Sequence, residues 1–141
     1  MIAAVVAIIS APGATAQLPA GDFTLTILHN NDGESQLISA SGEPDFGGVA
    51  RFKTLLDSER AAITTDDVVL ISSGDNFLAG PEFNASLDNG VPFYDTIAAE
   101  SFGYDALALG NHDFDFGPDV LADFIDGFTS VQPPTLSLIH I

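Results

Sequence analysis

The stretch LGNHDFDFG, residues 109–117, joins a short apolar strand to a glycine and a group of polar side chains. In an open α/β sheet, ligands bind in the crevice beyond the carboxyl ends of the strands. The stretch therefore predicts an exposed functional loop in which Asn111 offers an oxygen to a metal, His112 carries a proton or charge, and Asp115 orients His112. The alternative is a turn whose Asn, Asp and Gly residues satisfy only their own backbone.

Two other predicted strands also end in polar residues. The segment 23–29, FTLTILH, alternates β-forming residues and precedes NNDGES, whereas the apolar run 68–71, VVLI, precedes SSGDN. Each polar cluster contains one aspartate, Asp32 in the first and Asp75 in the second. A further strand is expected to begin at 134–137.

Helices are predicted between and after these strands. Apolar residues at helical spacing favour helices at 49–62, 92–102 and 118–128. Pro92 suits the first turn of the second helix, and Gly103 is expected to end it. Residues 77–91, rich in glycine, proline and asparagine, are predicted to form a long loop.

The order strand, helix, strand, helix, strand, helix predicts an α/β fold. Right-handed crossovers make such strands parallel, so their carboxyl ends meet at one edge. Asp32, Asp75 and Asn111 are therefore expected at a common rim. Their oxygens suit Mg, Mn, Ca, Fe or Zn, and two ions about 3.5–4 Å apart, bridged by Asp75, would clamp a phosphoryl group. His112 could then stabilise charge or protonate a leaving alkoxide.

Composition narrows the range of partners. The 141 residues fit one domain and contain no cysteine, so a metal has only oxygen and imidazole ligands. Twenty acidic residues against three basic ones give a net charge of −17. A basic surface for nucleic acid is therefore excluded. The negative field attracts divalent cations, although adaptation to a salty environment explains the same charge.

The amino-terminal residues 1–16, MIAAVVAIISAPGATA, carry no charged side chain and end in the small residues Ala-Thr-Ala. This pattern predicts a secretory signal peptide and an exported protein that is periplasmic, extracellular or at the cell surface. The apolar run is too short to span a bilayer, and a basic start is missing. The alternative is an apolar strand at residues 5–9.

Four blocks in register carry a family resemblance. They resemble, in order and spacing, the amino-terminal half of the calcineurin-like metallophosphoesterases, specifically the secreted 5′-nucleotidase branch. The blocks are ILHNND (27–32), GGVAR (47–51), SGDN (73–76) and LGNHDFD (109–115). The resemblance covers about residues 23–128. It implies a βαβαβα half of a metallophosphoesterase α/β sandwich, with parallel strands and the site at their carboxyl ends.

The resemblance also implies an activity and roles. The activity is metal-dependent hydrolysis of a phosphoric monoester, with a nucleotide as substrate and two divalent metal ions as cofactors. Asp32 would ligate the first metal, Asp75 would bridge both, and Asn111 would ligate the second. His112 would be catalytic and paired with Asp115.

Two positions depart from the family pattern. Glu34 stands where the family has a metal-binding histidine, so it either ligates the metal as a carboxylate or points to solvent, and the metal preference of the first site is open. Asp113 stands where glutamate is commoner.

The resemblance further predicts a truncated chain. Residues 17–141 correspond to the amino-terminal part of a metallophosphoesterase domain, whereas the family's later metal-ligand strands and its carboxyl-terminal domain have no counterpart. Weak metal binding and poor activity are expected as a result. His140 is better explained by chance than as a ligand, because terminal segments are usually poorly held.

Two other functions compete with hydrolysis. One is a non-catalytic acidic domain of a secreted or surface protein that binds Ca or Mg structurally. The other is a phosphate cradle at Gly47 and Gly48, which is weak because the lysine and the serine or threonine of a nucleotide-triphosphate loop do not follow.

Overall fold

The structure, a computed structural model, describes residues 3–7, 22–129 and 135–138. Within these ranges it contains five strands and four α-helices. The strands are β1 Ala3–Ala7, β2 Leu25–Asn30, β3 Asp67–Ser72, β4 Ala106–Leu109 and β5 Thr135–Leu138. The helices are α1 Val49–Ala62, α2 Pro81–Asn89, α3 Tyr94–Phe102 and α4 Gly117–Asp126.

The strands form one sheet in the order β1-β2-β3-β4-β5. The pairs β2–β3, β3–β4 and β4–β5 are parallel, which confirms the α/β prediction. Asn30 lies opposite Ser72, and Ser72 lies opposite Leu107. The carboxyl ends of β2, β3 and β4 are therefore at the same edge of the sheet.

The strand β1 differs from the others because it pairs antiparallel with β2. It shares residues 5–7 with the alternative of an apolar strand at residues 5–9, and residues 8 and 9 lie outside the described residues. The removal of residues 1–16 as a signal peptide stays a prediction. Within the described ranges, no helix combines the length and the apolarity needed to cross a bilayer.

The prediction of a loop at 77–91 was wrong, because α2 lies within it. Pro81 occupies the start of this helix, and the backbone N–H of Gly90 closes it by donating to the carbonyls of Ser86 and Leu87. Proline and glycine therefore mark the two ends of a nine-residue helix here. Its interior mixes polar and apolar residues, which hid the helical period.

The placement of Pro92 in the first turn of the next helix was also wrong. The helix α3 begins at Tyr94, after an extended Phe93. The side chain of Phe93 is buried in the core, and the carbonyl of Pro92 accepts a hydrogen bond from Asn89 Nδ2 (2.9 Å). The Pro92 backbone is thus bonded to the end of α2. Gly103 ends α3 in the left-handed conformation, as predicted.

The remaining elements lie close to their predicted places. The helix α1 covers 49–62 as expected, and α4 begins one residue earlier and ends two residues earlier than predicted. The strand β5 agrees with the strand expected near 134–137. His140 lies outside the described residues.

The described helices pack on one face of the sheet, where Leu28, Leu70, Leu107 and Leu109 are buried. The first three leucines form one cluster with residues of α1 and α3, including Leu56, Ala99 and Phe102. Leu109 belongs to a second cluster with residues of α2 and α4, including Phe83, Leu121 and Phe124. The second cluster lies under the strand that leads into the 109–117 stretch, so its packing supports that loop.

Leu56 and Leu55 offer a matched test of this packing, because Leu56 is fully buried and its neighbour Leu55 is 46% exposed. We expect Leu56→Ala to lower the free energy of unfolding by about 3 kcal/mol, since it removes apolar contacts and leaves a cavity. Leu55→Ala should cost about 1 kcal/mol or less. Urea unfolding measures both, and equal losses would contradict the observed face of α1.

Candidate active site

The loops that follow β2 and β3 are joined through their backbones. Asp32 N–H donates to the Gly74 carbonyl (3.2 Å), and Glu34 N–H donates to the Asp75 carbonyl (3.0 Å). Ser35 continues the same pattern with the next carbonyl (3.3 Å). These bonds extend the parallel pairing beyond the strands, so the two predicted metal-binding loops lie side by side.

The loops that follow β3 and β4 approach even more closely. A Cβ on Gly74 would overlap the Gly110 backbone, and a Cβ on Gly110 would overlap the Asp75 side chain and backbone N. Gly74 also has a φ of +105°, which favours glycine. The two glycines thus permit a contact that places Asp75 against the 109–117 stretch.

Asp75 forms a hydrogen bond with the backbone of that stretch. Its Oδ1 accepts a hydrogen bond from the His112 backbone N–H (2.9 Å). The residues 112–114 form a short 3₁₀ turn that begins directly after Asn111. The structure therefore brings together the backbones that carry Asp32, Glu34, Asp75 and Asn111.

Four residues of these loops have positive φ without being glycine, and all belong to or adjoin the predicted site. They are Asp32, Glu34, Ser35 and Asp75, with φ between 47° and 54°. A left-handed conformation costs about 1–2 kcal/mol for an ordinary residue, and such residues cluster at functional sites. The surrounding backbone bonds hold this conformation in place.

His112 and Asp115 form the pair that the sequence predicted. His112 Nδ1 lies 2.7 Å from Asp115 Oδ2, and both side chains are partly exposed. The hydrogen bond to Asp115 raises the pKa of His112 above its usual 6.5, and the charges of Asp115, Asp75 and Glu34 add to the effect. The carboxylates that surround the ring thus favour the imidazolium.

Asp113 departs from the expectation of an exposed loop, because its side chain is fully buried. Its oxygens accept hydrogen bonds from the backbone N–H groups of Asn76 (2.8 Å), Phe77 (3.4 Å) and Gly110 (2.9 Å) and from Asn76 Nδ2 (3.0 Å). Burial raises the pKa of Asp113, while these donors oppose the increase. No periodicity in the sequence marked this residue as buried.

The side chains at this edge of the sheet have oxygen donors, which suit a hard or borderline cation, but the number of these donors is small. Asp32, Asp75 and Asn111 offer two carboxylates and one amide oxygen, and Glu34 lies beside them. Within the part of the chain that the structure describes, no three His, Asp or Glu side chains form a cluster able to hold an ion alone. His29, near the end of β2, pairs with Ser73 Oγ (2.5 Å).

A cavity of about 490 Å³, which no pattern in the sequence indicates, lies beside the loop after β2. Asp32, Glu34 and apolar residues of α1 and α3 line it. Asp95 also lines it and is buried; its Oδ2 accepts a hydrogen bond from Ser86 (2.5 Å), while its Oδ1 has no partner among the described residues. Burial raises the pKa of Asp95, and the hydrogen bond from Ser86 opposes the increase. The only sign of Asp95 in the sequence is an acidic residue within the predicted helix 92–102.

Comparison with known proteins first defines the class of fold. The NAD nucleotidase of Haemophilus influenzae has a TM-score of 0.61 at 22% identity, covering 82% of this chain and 20% of that structure. The calcineurin-like phosphoesterase YfkN of Bacillus subtilis has a TM-score of 0.55 at 23% identity, covering 82% of this chain and 36% of that structure. No protein-family profile matches. The fold is therefore that of the calcineurin-like phosphoesterases.

Sequence comparison narrows the class. A snake venom 5′-nucleotidase from Naja atra is 38% identical over 124 residues, which cover 83% of this chain and 22% of the relative. The 5′-nucleotidase of Vibrio vulnificus is 40% identical over 101 residues, which cover 70% of this chain and 17% of the relative. The chain is thus homologous to the 5′-nucleotidase branch of the calcineurin-like phosphoesterases, and it spans about a fifth of the length of these curated relatives.

Gly74→Ala tests the contact between the loops after β3 and β4. We expect it to lower the free energy of unfolding by more than Gly103→Ala, because only Gly74 meets a neighbouring backbone in addition to a positive φ. Gly103→Ala should cost about 1–2 kcal/mol from the left-handed conformation alone. Urea unfolding measures the difference, and equal costs would mean that the Gly74 and Gly110 backbones are farther apart than observed.

The His112–Asp115 pair predicts a titration. The His112 pKa should lie above 6.5, and Asp115→Asn should lower it, because the largest cause of the increase is lost. The bond stabilises the fold fully below pH 6.5 and is lost as pH rises through the raised pKa. NMR of the ring protons measures the pKa, and exposed Asp119→Asn is the control. An unchanged pKa in Asp115→Asn would contradict the pair.

Proposed function

We propose that the chain carries part of the active site of a metal-dependent phosphomonoesterase that acts on nucleotides. The observation that supports this most strongly is the meeting of three loops at one sheet edge, with the His112 backbone bonded to Asp75. The homology to 5′-nucleotidases supports a nucleotide as the substrate. Export of the protein is part of the proposal and rests on residues 1–16 and on the snake venom relative.

The metal would be held by side chains of the three loops. Asp32 and Asn111 would each serve one ion, and Asp75 would lie between them, with Glu34 replacing an imidazole at the first ion. Divalent ions supply Lewis-acid polarisation of a phosphoryl oxygen and lower the pKa of water. The excess of carboxylates near the site favours cation uptake. Mg, Mn, Ca, Fe and Zn all remain candidates from this donor chemistry.

His112 would act on the substrate through its second ring nitrogen, Nε2. Because Nδ1 is bonded to Asp115, Nε2 is the atom left to face a phosphate ester. The neighbouring carboxylates raise the His112 pKa, so the ring stays protonated to a higher pH than an isolated histidine. Nε2–H can then bond a phosphate oxygen and pass its proton to the leaving nucleoside alkoxide. Asp115 fixes the ring orientation during this transfer.

Release of inorganic phosphate from AMP, with and without Mn²⁺, tests the proposal. We expect slow release that requires the metal and stops with EDTA. His112→Asn should reduce release by about 100-fold, since it removes the proton donor, and Asp75→Asn should abolish it. Asp119→Asn, at an exposed position of α4, is the matched control for a lost carboxylate and should retain the wild-type rate.

Two outcomes would overturn the proposal. Phosphate release that does not depend on Mn²⁺, or that continues in Asp75→Asn, would show that the three loops do not hold a catalytic metal. Thermal stabilisation by Ca²⁺ without any phosphate release, and without an effect of His112→Ala, would instead favour the non-catalytic acidic domain, for which the net charge of −17 is the supporting observation.

A further inference from the structure

The buried carboxylate of Asp113 belongs to neither proposed role of the site. It is not among the metal donors, and it is shielded from any substrate because its side chain is fully buried. Yet it lies in the 109–117 stretch, between the proposed catalytic residues His112 and Asp115. A carboxylate that is shielded from solvent loses its hydration, so it persists only where several donors replace the water.

Among the described residues, the hydrogen-bond partners of the Asp113 side chain are all N–H donors. Oδ1 accepts from the Asn76 and Phe77 backbones, and Oδ2 accepts from the Gly110 backbone and Asn76 Nδ2. A carboxylate is an acceptor-only group, so it can satisfy all four donors at once. An amide of the same shape has one acceptor oxygen and would direct an NH₂ group at some of these donors.

These donors come from both sides of the site. Asn76 and Phe77 directly follow Asp75, the proposed bridging ligand, whereas Gly110 directly precedes Asn111, the proposed ligand of the second ion. Asn76 Nδ2 also donates to the Ala108 carbonyl of β4 (3.0 Å). Asp113 therefore joins the loop after β3 to the loop after β4 at the residues adjacent to the proposed ligands.

We propose that Asp113 is a positioning residue, which holds the loop of Asp75 against the loop of Asn111 and keeps Asp75 at hydrogen-bond distance from the His112 backbone. It acts through Asn76 and Gly110 and does not itself touch the ions or the substrate. The part of this inference that concerns metal uptake rests on the proposed function. The part that concerns the loops does not.

The test compares Asp113→Asn, which keeps the shape and loses the charge, with Asp113→Glu, which keeps the carboxylate and adds a methylene. Amide hydrogen exchange followed by NMR reports the loops without metal. In the wild type, the amides of Asn76, Phe77 and Gly110 should be protected. In Asp113→Asn they should exchange about tenfold faster or more, while amides of β3 and β4 keep their rates.

Mn²⁺ titration by calorimetry reports the site. Asp113→Asn should bind Mn²⁺ about tenfold more weakly or worse, as for other residues that orient metal ligands. Asp113→Glu should bind more tightly than Asp113→Asn. A role in packing alone predicts the opposite order, because the amide fits the buried space and the longer side chain does not. Asp95→Asn, a second buried aspartate outside both loops, is the control and should leave the exchange of Gly110 unchanged.

The outcomes separate this inference from the proposed function. If the wild type takes up no Mn²⁺, the metal site fails, and the exchange rates still decide the role of Asp113. If Asp113→Asn does not fold, the wild-type protection and Asp113→Glu carry the test. Unprotected amides at Asn76 and Gly110 in the wild type, or protected ones in Asp113→Asn, would overturn the inference. Weaker Mn²⁺ binding by Asp113→Glu than by Asp113→Asn would also overturn it.

Discussion

The parallel register of β2, β3 and β4 is the constraint on which the rest of the site depends. The carboxyl ends of the three strands lie at one edge, because Asn30 is opposite Ser72 and Ser72 is opposite Leu107. Each strand is followed there by a polar loop. Backbone hydrogen bonds continue the pairing into the first two loops. Close approach of glycine backbones joins the second and third. Donors from distant parts of the sequence therefore meet at one edge of the sheet.

Electrostatics explains why such an edge suits a cation. Asp32, Glu34, Asp75 and Asp115 place negative charge on these loops. The hydrogen bond to Asp115, and then the charges of Asp115, Asp75 and Glu34, favour the protonated form of His112. Arg51 follows the first of these loops in the sequence, but its guanidinium donates to Ser39 Oγ and to the Pro44 and Gly47 carbonyls. These hydrogen bonds close the 39–47 loop. A bound cation would relieve the repulsion between the loop carboxylates. The left-handed conformations at Asp32, Glu34 and Asp75 are consistent with backbone that is held for a ligand.

The sequence predicted the fold because apolar periodicity and polar strand ends are local signals. The helix α1, the strand β4 and the His112–Asp115 pair lie where the pattern indicated. The helix α2 was not predicted because proline and glycine, which are common in loops, stand at its two ends. Burial of Asp113 and Asp95 escaped for a different reason: whether an aspartate is buried depends on donors that lie far away in the chain, such as Gly110 and Asn76 for the first and Ser86 for the second. Periodicity carries no information about those partners.

The central claim is that the three loops form one cation site, and paramagnetic broadening by Mn²⁺ tests it most directly. In a two-dimensional amide NMR spectrum, substoichiometric Mn²⁺ should selectively broaden residues 32–34, 75–76 and 110–112, because broadening falls steeply with distance from the ion. Amides of α2, which carries its own acidic residues Glu82 and Asp88, should stay sharp. Broadening spread evenly over acidic surfaces, or confined to one of the three loops, would contradict a shared site.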